Sequence, residues 1–187
     1  MTWQAKIGRI GLVLALAMTV LAGSSRAQVL NSGASTITLQ AVLNDSISVT
    51  LSGNAVNFTL TPGGTNNPGN TSITATTAWT LKPSTGNLSL YAFFSSSASA
   101  LSDGAGDNIP SADFQISDNA GPFNALTNTV PFGGANAGLR LSTFKILGNN
   151  RSGSRTDVLN FNINLSTLPN LPAGTYTGTL TIQAQAI

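Results

Sequence analysis

Apolar and polar residues alternate along most of this chain from Ser35 onward, most regularly over Leu171 to Ile187. Pro172-Ala173-Gly174 is a turn signal. After it, Tyr176, Gly178, Leu180, Ile182, Ala184 and Ala186 share one side, while Thr175, Thr177, Thr179, Thr181, Gln183 and Gln185 share the other. A period of two in residues rich in β-formers predicts a strand over Thr175 to Ile187, one-sided enough to need a second sheet over its apolar face.

The same alternation recurs upstream. Ser35 to Leu43 sets Ile37, Leu39, Ala41 and Leu43 against Thr36, Thr38, Gln40 and Val42. Asn44-Asp45-Ser46 interrupts it, and Ile47, Val49 and Leu51 resume it. Val56 to Thr61, Ile73 to Lys82, Leu88 to Phe94, a short piece around Phe114 and Ile116, and Val158 to Leu165 also read as strands. Leu126 to Phe132 reads as an extended edge segment, because Pro131 cannot donate to a ladder. Leu139 to Leu147 is extended too, but its pattern is mixed and leaves the register open. Pro62 to Asn70, Ser102 to Pro110 and Gly148 to Arg155 read as loops. About nine short strands separated by turns predict an all-β fold, an immunoglobulin-like β-sandwich with Greek-key connections.

The first residues break the pattern. Lys6 and Arg9 precede an apolar run, Ile10 to Ala22, and Ser25-Arg26-Ala27 places small residues around a cleavage point before Gln28. Residues 1–27 therefore read as a secretory signal peptide. With it go Lys6, Arg9 and Arg26, leaving five basic side chains (Lys82, Arg140, Lys145, Arg151, Arg155) against six aspartates. The basic isoelectric point belongs to the signal, so the remaining chain carries no nucleic-acid or membrane footprint. The expected destination is the cell surface or the exterior, by way of the periplasm. Residues 28–46 form an N-terminal extension and 47–187 the sandwich domain.

The chain has no Cys, no His and no Glu. Disulfides, Cys- or His-based nucleophilic dyads and zinc sites are thereby excluded. No pair of aspartates is placed by pattern to flank one bond. This points away from an enzyme and from any cofactor. Asp103, Asp107 and Asn108 sit on a Gly-rich loop and are the only candidates for calcium, although their spacing matches no calcium loop; a local turn is the competing reading. Arg151 and Arg155 could grip an anion from a loop tip. Trp79 and Tyr91 could stack on a sugar, but Trp79 lies within an alternating strand and suits a core better.

The closing LPAGTYTGTLTIQAQA, Leu171 to Ala186, together with the alternating segment ahead of the first strand proper, resembles the spore-coat-protein-U-like domains and the archaic chaperone–usher pilin subunits. The resemblance covers the two ends of the chain. Members commonly carry cysteines near the first strand, and this chain has none. The resemblance implies an incomplete sandwich completed by a strand donated from a neighbour. Ile37, Leu39, Ala41 and Leu43 would then be the donated row, and Tyr176, Leu180, Ile182 and Ala184 would border the acceptor groove. The implied function is a structural subunit of a surface fibre or coat, with like subunits, a periplasmic chaperone and an outer-membrane usher as partners. Two other readings stay open from the residues alone. Ser35 to Leu43 pairs within its own self-complete domain, or the domain is a secreted binding module for carbohydrate or another surface ligand.

Overall fold

The computed structural model describes residue 32, residues 34–83 and residues 85–187. The expected signal peptide lies outside the described residues. The chain falls into two units, Met1–Ala41 and Val42–Ile187. In the first, residues 32 and 34–41 carry no regular secondary structure and their side chains are exposed.

The second unit is all-β. Its strands are β1 (Ser46–Leu51), β2 (Asn67–Pro68), β3 (Ile73–Thr80), β4 (Asn87–Phe93), β5 (Leu101–Ser102), β6 (Asn108–Ile109), β7 (Phe114–Asp118), β8 (Asn124–Ala125), β9 (Gly138–Lys145), β10 (Ser152–Ile163) and β11 (Thr181–Ala186), with one short 3-10 turn at Ser111–Asp113. All pairings are antiparallel. One sheet runs β1-β3-β10-β7-β8, with β2 also on β10, and a second runs β11-β4-β9. β5 and β6 form a small hairpin.

The alternation seen in the sequence becomes an inner and an outer face. On β3, Ile73, Ala75, Thr77 and Trp79 are buried while the residues between them are half-buried. Leu159, Phe161 and Ile163 of β10, Phe114 and Ile116 of β7, and Leu90 and Ala92 of β4 join Ile73 and Ala75 in one cluster. Both sheets contribute to it, so their inner faces pack as the two layers of a β-sandwich.

A second cluster lies at the β1–β11 end. Trp79, Leu81, Leu88 and Ile146 are buried there, with Ile47, Phe144, Ala184 and Ala186 packed against them. The Trp79 ring lies 5.4 Å from that of Phe144, and its Nε1–H donates to the Asn150 carbonyl at 2.9 Å. Trp79 is thus a core residue with its one polar atom satisfied. Tyr91 is buried too, edge-on to Phe132 at 6.0 Å. The two aromatics considered for sugar stacking therefore form no surface platform.

A polar row separates the clusters. Thr77 on β3 lies opposite Arg155 on β10, two residues from the Ala75–Asp157 pair. The Arg155 guanidinium donates from Nε and Nη2 to Asp157 Oδ1 at 2.9 and 2.8 Å, and Asn119 Nδ2 donates to the same oxygen at 2.9 Å. Asp157 is 1% exposed. A carboxylate this buried is tolerable only because charge-assisted donors surround it. Arg155 therefore does not sit on a loop tip beside Arg151. The expected loop ends at Arg151, and Ser152 to Ile163 is one long strand.

Other expectations shift in the same way. The mixed pattern over Leu139 to Leu147 has a cause: opposite Leu90 and Tyr91, β9 skips from Ser142 to Arg140, leaving Leu141 as the extra residue of a bulge. A bulge reverses inside and outside, so Leu139 faces inward on one side of it and Phe144 on the other. Leu126 to Phe132 forms no strand, and a single bridge ties Asn128 to Gly138. Val56 to Thr61 is not a ladder strand either, and only Phe58 bridges, to Gly69. The expected closing strand is divided: Thr181–Ala186 pairs with β4, whereas Thr175 to Leu180 makes only the bridge between Thr177 and Ser102.

Candidate functional site

The two incompletely paired segments face one another. Residues 53–62 continue beyond β1, along the border of the first sheet. Residues 171–180 lead into β11, along the border of the second. Between them opens a groove of about 820 Å³. Its walls include Val56, Phe58 and Leu60 from one rim and Leu171, Tyr176 and Leu180 from the other. Its floor is the main core, with Ile73, Phe94, Phe114, Leu159, Phe161 and Leu165 open to it. Phe114 centres an aromatic group, with Phe58, Phe94 and Phe161 at 5.8, 5.1 and 6.1 Å.

The backbone at both rims is directed into the gap. Thr177 and Ser102 exchange both N–H···O bonds at 2.9 Å, and Asn87 and Ile187 do so at 2.8 and 2.9 Å. Odd-numbered residues of this strand therefore turn their peptide groups toward β4 and β5. Even-numbered ones, Tyr176, Gly178 and Leu180, turn theirs the other way. On the opposite rim the Asn57 carbonyl accepts from Asn70 N–H, and Asn57 N–H donates to Asn70 Oδ1, both at 2.9 Å. Asn57 thus faces inward to its sheet, and Val56, Phe58 and Leu60 face the gap. Among the described residues none of these six makes a backbone–backbone hydrogen bond. Two rows of backbone donors and acceptors without backbone partners thus border an apolar floor.

Among the described residues no charged side chain lines the groove. Tyr176 is the nearest titratable group. Its hydroxyl donates to the Pro172 carbonyl at 2.9 Å, closing the Pro-Ala-Gly turn. Its pKa lies above the ordinary phenol value, through desolvation first and the carboxylates of Asp107 and then Asp103 second, so it stays a neutral donor. Those carboxylates belong to the β5–β6 hairpin, which carries the outer rim through the Ser102–Thr177 pair. Asp103 Oδ1 accepts from the N–H groups of Ala105, Gly106 and Asp107 at 2.8, 3.1 and 3.0 Å. Asn108 Nδ2 donates to the Gly106 carbonyl at 3.0 Å. Of the side chains considered for calcium, those of Asp103 and Asn108 thus brace their own turn. Among the described residues no three His, Cys, Asp or Glu side chains converge as a metal site would require.

Three of the four residues expected at the groove, Tyr176, Leu180 and Ile182, do line it. Ala184 does not: it lies two pairs beyond Ile182 along β11, opposite Leu90, and packs on both core clusters. The sequence reading missed the facing rim, Val56 to Leu60, because its alternation is that of an ordinary strand. The only hint was the cluster of turn residues on both sides of it. Of the expected donated row, Ile37, Leu39 and Leu43 are 84, 88 and 84% exposed, and Ala41 is exposed as well. Residues 34–45 form no strand. Comparison with known protein families, with curated proteins and with solved structures finds no match to the chain.

Proposed function

We propose that this protein is an exported, non-enzymatic structural subunit of a surface fibre or coat, assembled when residues 35–43 of one copy enter the groove of the next. The observation that carries this reading is the groove itself: an apolar slot with unpaired backbone on both rims. An extended segment satisfies both rows of peptide groups at once and buries alternate side chains on the aromatic floor. Residues 35–43 suit the slot. They alternate up to Gln40 and end in the apolar run Ala41-Val42-Leu43, are exposed, and like the groove lining contain no charge. Burying Ile37, Leu39 and Leu43 contributes roughly 1.5–3 kcal/mol each.

Position favours an open polymer. The extension joins β1 at Ser46, whereas Leu51, at that strand's other end, already lines the groove. Donor and acceptor are different segments, so a head-to-tail contact leaves one extension and one groove free for further subunits. In this reading the sandwich is of the incomplete immunoglobulin-like, Greek-key kind seen in archaic chaperone–usher pilins. Export passes through the periplasm, where a chaperone covers the groove before an usher hands the subunit on.

The test is light scattering after size-exclusion chromatography of periplasmic protein, parent against Leu39→Asp/Leu43→Asp. The parent is expected to form polymers and the variant folded monomers. A polymer of unchanged length in the variant defeats the donor assignment. A parent that is a stable monomer, and unfolds when residues 28–45 are removed, returns the first segment to its own domain and favours the self-complete binding module.

A further inference from the structure

Both rims of the groove rest on a glycine at a point where no side chain fits. On the outer rim, a Cβ at Gly178 would lie 2.0 Å from the Ala100 carbonyl oxygen and 3.0 Å from its carbonyl carbon. These are backbone atoms, which cannot rotate away, so any side chain displaces the rim from the β5–β6 hairpin beneath it. On the inner rim, a Cβ at Gly69 would lie 2.5 Å from Val56 Cγ1. Gly69 bridges to Phe58 and donates its N–H to the Phe161 carbonyl at 2.9 Å, so it is fixed to the first sheet while Val56 rides on it. By contrast, a Cβ at Gly148, in the loop before Arg151 and outside the groove lining, meets nothing closer than 3.7 Å.

We infer that Gly178 and Gly69 are positioning residues that set the separation of the two rims, and with it the groove's ability to take a strand. This rests on the reading of the groove as a strand acceptor. A strand bonded on both sides needs each neighbour about 4.8 Å away, so a displacement of an ångström at either rim breaks one row of bonds. The paired part of β11 begins at Thr181, beyond Gly178, and keeps its ladder on β4. The effect is therefore on strand capture and not on the sandwich.

The test uses the full chain carrying Leu39→Asp/Leu43→Asp as parent, with a labelled synthetic peptide of residues 34–45 in its native sequence as probe. Gly178→Ala is expected to weaken peptide capture by about tenfold or more, with amide protection of 181–186 retained. Gly148→Ala is expected to bind as the parent does. Gly69→Ala is expected to weaken capture, and Gly69→Ala/Val56→Ala to restore it, because the obstructing methyl is gone. Parent-like capture by Gly178→Ala, or no recovery in the double variant, overturns the inference. Loss of the whole fold in Gly178→Ala also overturns it for that residue, and the Gly69–Val56 pair then decides for the other rim. If the parent itself takes up no peptide, what fails is the strand-acceptor reading.

Discussion

The two ends of this sandwich are built from the same alternating sequence and finish differently. At the β1–β11 end, the gap between the sheets is filled from within: Trp79 and Phe144 reach across it, and Ile47, Ala184 and Ala186 seal the border. At the other end, large residues are equally present, but they line an opening. Phe58, Phe94, Phe114 and Phe161 pack on one another and leave a channel beside them. The difference is not hydrophobicity but pairing. β1 and β11 are held on ladders by β3 and β4, whereas residues 53–62 and 171–180 touch their sheets at one or two points. Where the border strands are fixed, side chains complete the core; where they are not, the groove stays open.

The sharpest way to test that contrast is to remove one aromatic from each end. Trp79→Ala leaves a cavity in a closed cluster and an orphaned Asn150 carbonyl, and is expected to destabilise the domain by about 3–5 kcal/mol in urea unfolding. Phe58→Ala is expected to cost the isolated subunit far less, since its ring already borders a void, while weakening polymerisation more than Trp79→Ala does. Equal losses of stability at the two sites would mean that the ends are closed alike.

Arg155 tests the row between them. Replacing it with Met keeps much of its volume but leaves Asp157 buried without its charge partner. Breaking a buried pair by removing one member costs about 3–5 kcal/mol. The low end applies here, because the Arg155 side chain is 34% exposed and water screens it in part. An Arg155→Met protein as stable as the parent would show that Asn119 Nδ2 and the Ser142 hydroxyl, which donates to Asp157 Oδ2 at 3.4 Å, suffice to hold the carboxylate.

How much of this was legible in the sequence depended on where the signal was local. The inward rows of β3 and β10 could be read residue by residue, because a fully paired strand obeys a period of two. Trp79 could be assigned to the core for the same reason. Arg155 could not: its inward direction follows from β10 starting at Ser152 instead of Val158, and a polar start to a strand looks like a loop. Leu141 broke the pattern of β9 because a bulge is a property of the pair, not of one strand. At the groove, Tyr176, Leu180 and Ile182 were legible as an apolar row, and Val56 to Leu60 as another. That the two rows face each other unpaired is a long-range fact. Alternation alone cannot tell a strand with a partner from one that lacks it.

The finest test concerns Asp118, at the end of β7 beside the polar row. Its carboxyl pKa is raised above the usual carboxylate range, first by burial and then by the Asp157 carboxylate, with Arg155 opposing. Its Oδ1 is buried without a hydrogen-bond partner among the described residues. A raised pKa means that the folded state binds this proton more tightly than the unfolded chain does. At neutral pH, where both states are ionised, Asp118 therefore weakens the fold. The penalty is relieved as pH falls through the raised folded value, and the change ends below the unfolded value, where both states are protonated. Asp118→Asn removes the charge at every pH. It is expected to be more stable than the parent at neutral pH, by less than the Arg155 effect, with the advantage shrinking on acidification through the carboxylate range. Urea midpoints of the two proteins measured across that range decide it. A constant gap would mean that Asp118 feels neither burial nor Asp157, and that the polar row is held by geometry and not by charge.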